Sequence, residues 1–212
     1  MDNTTLGSYI DKFLVLSARD KQLLINCTQE ISYKKGEAIL KESEICQSFY
    51  LVGKGYLRSY YTKDGVQINI HFTFEGHFTS NLKSYRNRTP SEMIIEAAED
   101  TTIWVFNFRQ LSDQLNNYPE IARFVRRLAI SLLLASEEHS DLFKIYTPTE
   151  RYRYIEKNNP QLLQRVSLSQ LASYLGVTRE TLSRIRAKNS LSYFDCDYCH
   201  RSIPAFYPNF AA

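Results

Sequence analysis

The stretch from Ser167 to Lys188 reads SLSQLASYLGVTRETLSRIRAK and decides the fold of the C-terminal part of the chain. Its first half places apolar side chains at intervals of three and four residues, which predicts a helix with one buried face. These apolar positions are Leu168, Leu171, Ala172 and Leu175. Gly176 then allows a sharp turn, and Thr178 is suited to cap a second helix. The pattern predicts two short helices joined by a tight turn.

The second of these helices has an apolar face and a polar face. Leu182 and Ile185 lie on the apolar face, which we expect to be buried. The candidate contact residues are Ser167 at the start of the first helix and, around the second, Thr178, Arg179, Glu180, Thr181, Ser183, Arg184 and Lys188. An arginine fork can bond guanine O6 and N7, a glutamate can accept from cytosine N4, and hydroxyls near a helix N-terminus can hold phosphate. This pattern favours a helix-turn-helix in the major groove of DNA. A helical hairpin with a solvated charged face is the alternative.

Charge and composition agree with a polyanion partner. Residues 147–190 hold eight Lys/Arg against three acidic residues, whereas residues 1–146 are close to neutral. A basic segment on a near-neutral chain is typical of nucleic-acid binding. The 212 residues are 43% hydrophobic and contain neither an apolar run of membrane-spanning length nor an N-terminal export signal. We therefore expect no membrane partner, a cytoplasmic location and, for the four cysteines, free thiols.

Residues 31–108 have the texture of an antiparallel β-domain. Short runs rich in β-branched and aromatic side chains are separated by glycine-containing turns, and Asp64-Gly65 between two such runs predicts a hairpin. The predicted strands cover residues 48–52, 56–61, 67–74 and 101–106. Their spacing favours a jelly roll.

A long helix is predicted from Pro119 to Ile145. Proline suits a first helical position, and apolar residues then recur at alternating steps of four and three, which lets two helices share a buried seam. The predicted dimer seam comprises Ile121, Val125, Leu128, Leu132, Ala135, His139 and Leu142. The residues that we expect to pack instead on the β-domain are Phe124, Ile130, Leu133 and Leu134. Burial of the whole helix within one chain is the alternative.

A domain boundary is predicted at Thr147-Pro148-Thr149-Glu150, where an N-cap threonine, a first-turn proline and a capping-box glutamate coincide. The chain then divides into four parts. They are a β-domain with N-terminal helices (1–118), a dimerisation helix (119–146), a helix-turn-helix domain (147–190) and a C-terminal extension (191–212). A regular β-hairpin wing is not expected in this extension.

With these motifs in place, the chain resembles the Crp/Fnr transcriptional regulators over residues 8–188. The most specific match is Thr178-Arg-Glu-Thr-Leu-Ser-Arg184, which is similar to the recognition helix of that family. The resemblance implies an α+β fold: a double-stranded β-helix (jelly roll) of the cyclic-nucleotide-binding type, a long dimerisation helix, and a helix-turn-helix domain of the winged-helix type. It also implies a homodimer on a pseudo-palindromic double-stranded DNA operator, base contacts from two arginines and a glutamate, and RNA polymerase as a further partner.

The cyclic-nucleotide site is where the resemblance weakens. Family members that bind cyclic nucleotides carry a Gly-Glu pair for the ribose and an Arg-Ser or Arg-Thr pair for the cyclic phosphate. The aligned positions here hold Ser80-Asn81 and Ser91-Glu92. Glu92 would repel the phosphate, and the loop residues Arg86 and Arg88 are alternative positive charges, although solvated loop charges explain them equally well. We predict an effector pocket at these positions that does not bind cyclic AMP and whose small-molecule effector is unknown.

Iron–sulfur and haem cofactors are not expected. Only Cys27 and Cys46 precede the C-terminal tail, too few for the N-terminal cysteine cluster of redox-sensing relatives. The candidate haem ligands are His71, His77 and His139. His71 alternates within a strand and suits a core or surface position, and His139 in the helix seam could instead tune dimerisation with pH.

The tail sequence Cys196-Asp-Tyr-Cys-His200 matches the C-x-x-C-H pattern of covalent haem attachment. That chemistry occurs outside the cytoplasm, and the tail supplies three ligands where a zinc site prefers four. A chance pair in a short extension is the simpler interpretation, and we predict no metal site.

The leading hypothesis is therefore a sequence-specific DNA-binding transcriptional regulator with an effector-sensing β-roll. The alternative is a β-roll small-molecule-binding protein whose C-terminal helices mediate protein contacts. The sequence holds no nucleophile elbow, phosphate-cradling glycine loop or complete metal tetrad, so an enzyme is not predicted.

Overall fold

The computed structural model describes residues 3–108 and 117–191. The elements in these ranges are α1 (Asn3–Phe13), α2 (Ala18–Asn26), β1 (Thr28–Tyr33), β2 (Ala38–Leu40), β3 (Phe49–Lys54), β4 (Leu57–Lys63), β5 (Val66–Thr73), β6 (Phe78–Thr79), α3 (Leu82–Asn87), β7 (Met93–Ala97), β8 (Thr101–Phe106), α4 (Pro119–Ile145), α5 (Pro148–Asn158), α6 (Pro160–Arg165), α7 (Leu168–Tyr174) and α8 (Arg179–Leu191).

The strands form two four-stranded antiparallel sheets, with strand orders β1-β8-β3-β6 and β2-β7-β4-β5. Side chains of both sheets share one core, in which Leu57 and Ile95 of one sheet meet Val52 and Ile103 of the other. Alternating burial along β7 is the pattern that a strand with one core-facing side requires. The jelly-roll prediction is confirmed.

The predicted hairpin at Asp64-Gly65 joins β4 to β5. Both residues have positive φ, 51° and 76°, the conformation of the tight turns that suit the twist of a hairpin. The pairing of β4 with β5 contains an irregularity between Ser59 and Tyr60. Among the described strands, β5 pairs only with β4, so its outer edge lies at the margin of the sheet.

A second core joins the other sheet to α1, α2 and α4. Phe78 and Phe106 of the sheet pack with Phe124 and Leu128 of α4 and with Ile10 of α1. The edge-to-face contact of Phe13 with Phe78, with ring centroids 4.9 Å apart, belongs to the same cluster. The long helix is therefore anchored to its own β-domain.

This anchoring corrects the predicted faces of α4. Ile121 and Leu128, which we assigned to the dimer seam, are fully buried within the chain, while Leu142 is buried and Val125 and Leu132 are half-buried. Of the residues expected to pack on the β-domain, only Phe124 does so. The others are exposed, namely Ile130 (50%), Leu133 (59%) and Leu134 (45%). The periodicity indicated an apolar stripe, but periodicity does not say which partner covers it.

The C-terminal helices begin where the sequence indicates. Thr147 and Glu150 form the predicted capping box at the start of α5. The short helix α6 follows and was not predicted separately. None of the helices in the described ranges combines the length and apolar character that a membrane span requires. The tail with Cys196, Cys199 and His200 lies outside the described residues.

Candidate nucleic-acid interface and effector pocket

The turn between α7 and α8 has the predicted construction. The Ser167 side chain accepts a hydrogen bond from the Gln170 N–H and caps α7. Gly176 adopts φ +66°, and a Cβ built there would lie 2.7 Å from the Phe143 ring, so glycine is required on both conformational and steric grounds. Thr178 then accepts from the Thr181 N–H at the start of α8, 3.2 Å away.

The two helices pack through the apolar positions that the sequence indicated. Leu182 and Ile185 of α8 are buried against Leu171, Ala172 and Leu175. Their burial fixes the rotation of α8 about its own axis, since residues on the opposite face must then point outward.

The opposite face of α8 is exposed and carries most of the predicted contact residues. Those exposed are Thr178, Arg179, Glu180, Ser183, Arg184 and Lys188, together with Ser167 at the start of α7. Thr181, which shares a hydrogen bond with Thr178, is half-buried. Hydrogen bonds from its own backbone and from the Thr178 side chain lower the pKa of Glu180, so this exposed carboxyl is ionised at neutral pH. The helix thus offers two cationic forks and one anionic acceptor on one open surface.

The predicted effector pocket lies where β6 leads into α3. Asn81 caps this helix by accepting a hydrogen bond from the Ser84 N–H at 3.1 Å. The Asn81 amide also donates to the Ser91 hydroxyl at 2.8 Å. The positions aligned with the ribose and phosphate partners of cyclic nucleotides are therefore joined directly to each other.

Two serine hydroxyls close this region from the inside. The Ser84 hydroxyl accepts from the Cys46 N–H at 2.9 Å and donates to the Thr89 carbonyl at 2.6 Å. The Ser80 hydroxyl donates to the Ser48 carbonyl at 3.0 Å. Sequence reasoning missed Ser84, Cys46 and Ser48, although Asn81 is a residue type that is favoured at a helix N-cap.

The charged residues assigned to the pocket point elsewhere. Arg86, Arg88 and Glu92 are all exposed. Glu92 lies 3.6 Å from the Lys83 ammonium, with both side chains largely in solvent, rather than facing the pocket. The Glu92 side chain is exposed between buried Ser91 and buried Met93, and its repulsion of a bound phosphate stays a prediction.

The candidate haem ligands are dispersed. The His139 ring stacks near Tyr174 of α7, with centroids 4.5 Å apart, and contacts Phe143 edge-on at 5.1 Å. His139 thus joins α4 to α7, and its place in a dimer seam stays a prediction. Burial, with smaller contributions from His139 and His77, lowers the pKa of His71 to about 4. Within the described ranges, no three His, Cys, Asp or Glu side chains cluster as metal ligands would.

Comparisons with known proteins agree with this architecture. Residues 30–118 match the family described as Cyclic nucleotide-binding domain. The nitrogen fixation regulation protein FixK of Bradyrhizobium diazoefficiens is 24% identical over 172 residues, which cover 76% of this chain and 71% of the relative. The structure of FixK2 from Bradyrhizobium japonicum gives a TM-score of 0.67 at 24% identity, covering 78% of this chain and 85% of that one. The Thermus thermophilus catabolite activator protein gives 0.52 at 20% identity, covering 85% and 87%.

The strands between Thr28 and Phe106 thus form a β-roll of the cyclic-nucleotide-binding type, and a long helix and further helices lie C-terminal to it. The chain is therefore similar to FixK over most of its length, and it shares its fold with the solved structures of FixK2 and of the catabolite activator protein.

Proposed function

We propose that this protein is a homodimeric regulator of transcription that recognises a specific sequence of double-stranded DNA through α8. The observation that carries the proposal is the division of α8 into a face buried by Leu182 and Ile185 and an exposed face bearing Arg179, Glu180 and Arg184. Such a face, supported from behind by a second helix, has the size and chemistry to read base edges in the major groove.

The contact residues divide into two groups by chemistry. Arg179, Glu180 and Arg184 carry forks and a carboxylate that match base edges, so we assign them to sequence recognition. The hydroxyls and the ammonium suit phosphate oxygens and so position the helix on the duplex. This second group comprises Ser167, Thr178, Thr181, Ser183 and Lys188.

A second copy of the chain would pair through the exposed stripe of α4. Ile130, Leu133 and Leu134 lie at i, i+3 and i+4 and present a continuous apolar surface that one chain leaves in water. Two copies joined along this stripe would carry two recognition helices, as a pseudo-palindromic operator requires. The functional divisions that we propose remain 1–118, 119–146, 147–190 and 191–212.

The β-roll would act without cyclic AMP. The polar groups at the aligned nucleotide positions bond to one another, and the cationic side chains at the C-terminal end of α3, Arg86 and Arg88, are exposed. Any effector would then be a different small molecule, and RNA polymerase would be the partner through which DNA binding reaches transcription.

Selection of binding sites from random duplex DNA tests the proposal. We expect an enriched sequence with two related half-sites and an affinity that falls steeply with added salt, since phosphate contacts release counterions. A purified, folded dimer that enriches no sequence and binds DNA with no salt dependence would favour the alternative, in which the C-terminal helices contact protein.

A further inference from the structure

Three turns of the β-roll meet at one end of the domain, beside α6. The β3–β4 turn contains Gly55, the β5–β6 turn contains Glu75, and the β7–β8 turn contains Glu99. The Gly55 N–H donates to the Glu75 carboxylate at 2.9 Å, which fixes that carboxylate in place. Two acidic side chains thus stand together at the edge of the sensor domain that faces the C-terminal helices.

Arg165, the last residue of α6, bridges these turns. Its guanidinium donates to both oxygens of Glu75, at 2.7 and 2.9 Å, and also to Glu99. The same group lies over the rings of Tyr56 and Phe74, with its carbon 5.2 and 5.3 Å from their centroids. A bidentate fork over two aromatic faces is a geometry that lysine cannot reproduce.

The backbone at this point is held as well. The Tyr56 hydroxyl donates to the Arg165 carbonyl at 3.2 Å. Burial is the largest single influence on the pKa of Glu75 and raises it, but the hydrogen bonds from Arg165 and from backbone N–H groups, together with the Arg165 charge, lower that pKa by more, so the pair is ionised at neutral pH.

A second contact lies at the outer edge of β5. The Ser173 hydroxyl of α7 accepts from the Asn69 N–H and donates to the Gln67 carbonyl, both at 3.0 Å. One side chain of the first helix of the α7–α8 pair thereby satisfies two backbone groups that an edge strand would otherwise leave to solvent. Next to it, the Tyr174 ring packs on Phe72 with centroids 5.4 Å apart.

Apolar packing connects the Arg165 contact with the Ser173 contact. Tyr56, Phe72 and Phe74 of the β-roll share one buried cluster with residues of α5 to α8, including Ile155 and Leu162. The recognition helix is therefore held by a core that is continuous with the sensor domain.

Resting on the function proposed above, we infer that Arg165, Glu75 and Glu99 form an intramolecular latch that holds α8 in its DNA-competent orientation without an effector. Two observations indicate that the closed latch favours DNA binding and needs no effector. The contact face of α8 stays exposed while the latch is closed. The groups at the aligned nucleotide positions are already satisfied by one another, so ligand binding is not needed to order them.

Amide hydrogen exchange of full-length protein in the absence of DNA tests the latch. The Asn69 N–H is bonded to Ser173 and not to Arg165, so its exchange reports separation of α7 from β5 rather than a local change at the substitution. We expect exchange at Asn69 about tenfold faster in Arg165→Met, with the amides of β3 and β8 unaffected. Asp100→Asn is the matched control, because it breaks an ion pair of 2.8 Å to Lys34 within the sensor domain. Unchanged exchange at Asn69 in Arg165→Met would overturn the latch.

The double variant Glu75→Gln/Glu99→Gln distinguishes the effect of the latch on DNA affinity from the effect of net charge. It also serves in place of Arg165→Met if that variant does not fold. Removing two negative charges would strengthen DNA binding if electrostatics alone acted. The latch predicts the opposite: about tenfold weaker binding to the selected operator, as expected if the competent fraction falls to about one tenth. Faster Asn69 exchange with unchanged or tighter operator binding would also overturn it. If the wild type binds no DNA, the proposed function fails, while the exchange result still decides whether the domains are latched.

Discussion

Asn81 donates a hydrogen bond of 2.8 Å to Ser91, and these two residues occupy the positions at which the resemblance to cyclic-nucleotide-binding regulators expects a glutamate and an arginine. Ser91 is buried, and its hydroxyl also accepts from the Met93 N–H at 3.1 Å. A bond between two neutral side chains needs no ligand to balance a buried charge. The helix α3 is therefore held in place by the protein alone.

The first prediction is that cyclic AMP does not bind at micromolar concentration. A cyclic phosphate entering here would meet neutral groups already bonded to one another, and Arg86 and Arg88 are turned into solvent. Isothermal calorimetry with cyclic AMP should give no heat beyond dilution. Saturable binding at micromolar concentration would mean that the loop after α3 rearranges to bring an arginine inward.

The second prediction concerns Ser84, whose hydroxyl joins α3 to the Cys46 N–H and the Thr89 carbonyl. Ser84→Ala leaves both backbone groups without this partner in the interior. We expect a loss of about 1–3 kcal/mol in the free energy of unfolding, measured by urea denaturation. Ser183→Ala, at an exposed position of α8, should change stability by less than about 0.5 kcal/mol. Equal effects of the two substitutions would contradict the assigned network.

The third prediction follows from the exposed stripe of α4. Leu133→Glu should convert the dimer to a folded monomer, whereas Leu128→Glu should destabilise the fold itself because Leu128 is completely buried. Ser183→Glu is a suitable control, since Ser183 is exposed on α8 and lies outside α4. Analytical ultracentrifugation together with circular dichroism separates the three cases. A dimer that persists in Leu133→Glu would place the interface elsewhere.

These two α4 positions also show where sequence reasoning reaches its limit. The apolar spacing of three and four residues correctly indicated that Leu128 is buried. Its partners, however, are Phe78, Phe106 and Phe108 of the same chain rather than a second copy. Predictions from local sequence signals were more accurate. Gly176, Thr178 and the Thr147–Glu150 capping box act over a few residues and appear as expected. The ion pairs of Arg165 could not be predicted from the sequence. Its partners lie 66 and 90 residues away along the chain, and no local sequence pattern relates residues at such separations.

The fourth prediction is a loss of stability in mild acid. Burial lowers the pKa of His71 to about 4 and lowers that of His139, where a backbone hydrogen bond to Tyr174 opposes the effect. An unfolded histidine titrates near pH 6.5, so below that pH the unfolded state binds more protons than the folded state. The free energy of unfolding should therefore fall from about pH 6.5 toward pH 4, by up to about 1.4 kcal/mol per pH unit for each histidine.

Urea denaturation at pH 7.5 and 5.5 measures this difference. His71→Gln should shrink it, because glutamine does not titrate. Glu75, whose pKa is lowered, should add a further loss only below about pH 4.5, where its unfolded form takes up a proton. An identical pH dependence in wild type and His71→Gln would assign the effect to other groups.

The last prediction distinguishes base recognition from phosphate contact on α8. Arg184 and Lys188 are both exposed, lie one helical turn apart, and each carries one positive charge. Arg184→Ala should cost about 1–3 kcal/mol at the selected site and relax the preference at one base position, as expected from losing a bidentate contact to guanine. Lys188→Ala should instead weaken binding to all sequences by a similar factor and lower the salt slope by about one. Because the two substitutions remove the same charge from neighbouring turns, a difference between their selected sequences must come from base recognition. If Arg184→Ala remains folded and dimeric and selects the wild-type sequence with wild-type affinity, α8 does not read DNA as proposed.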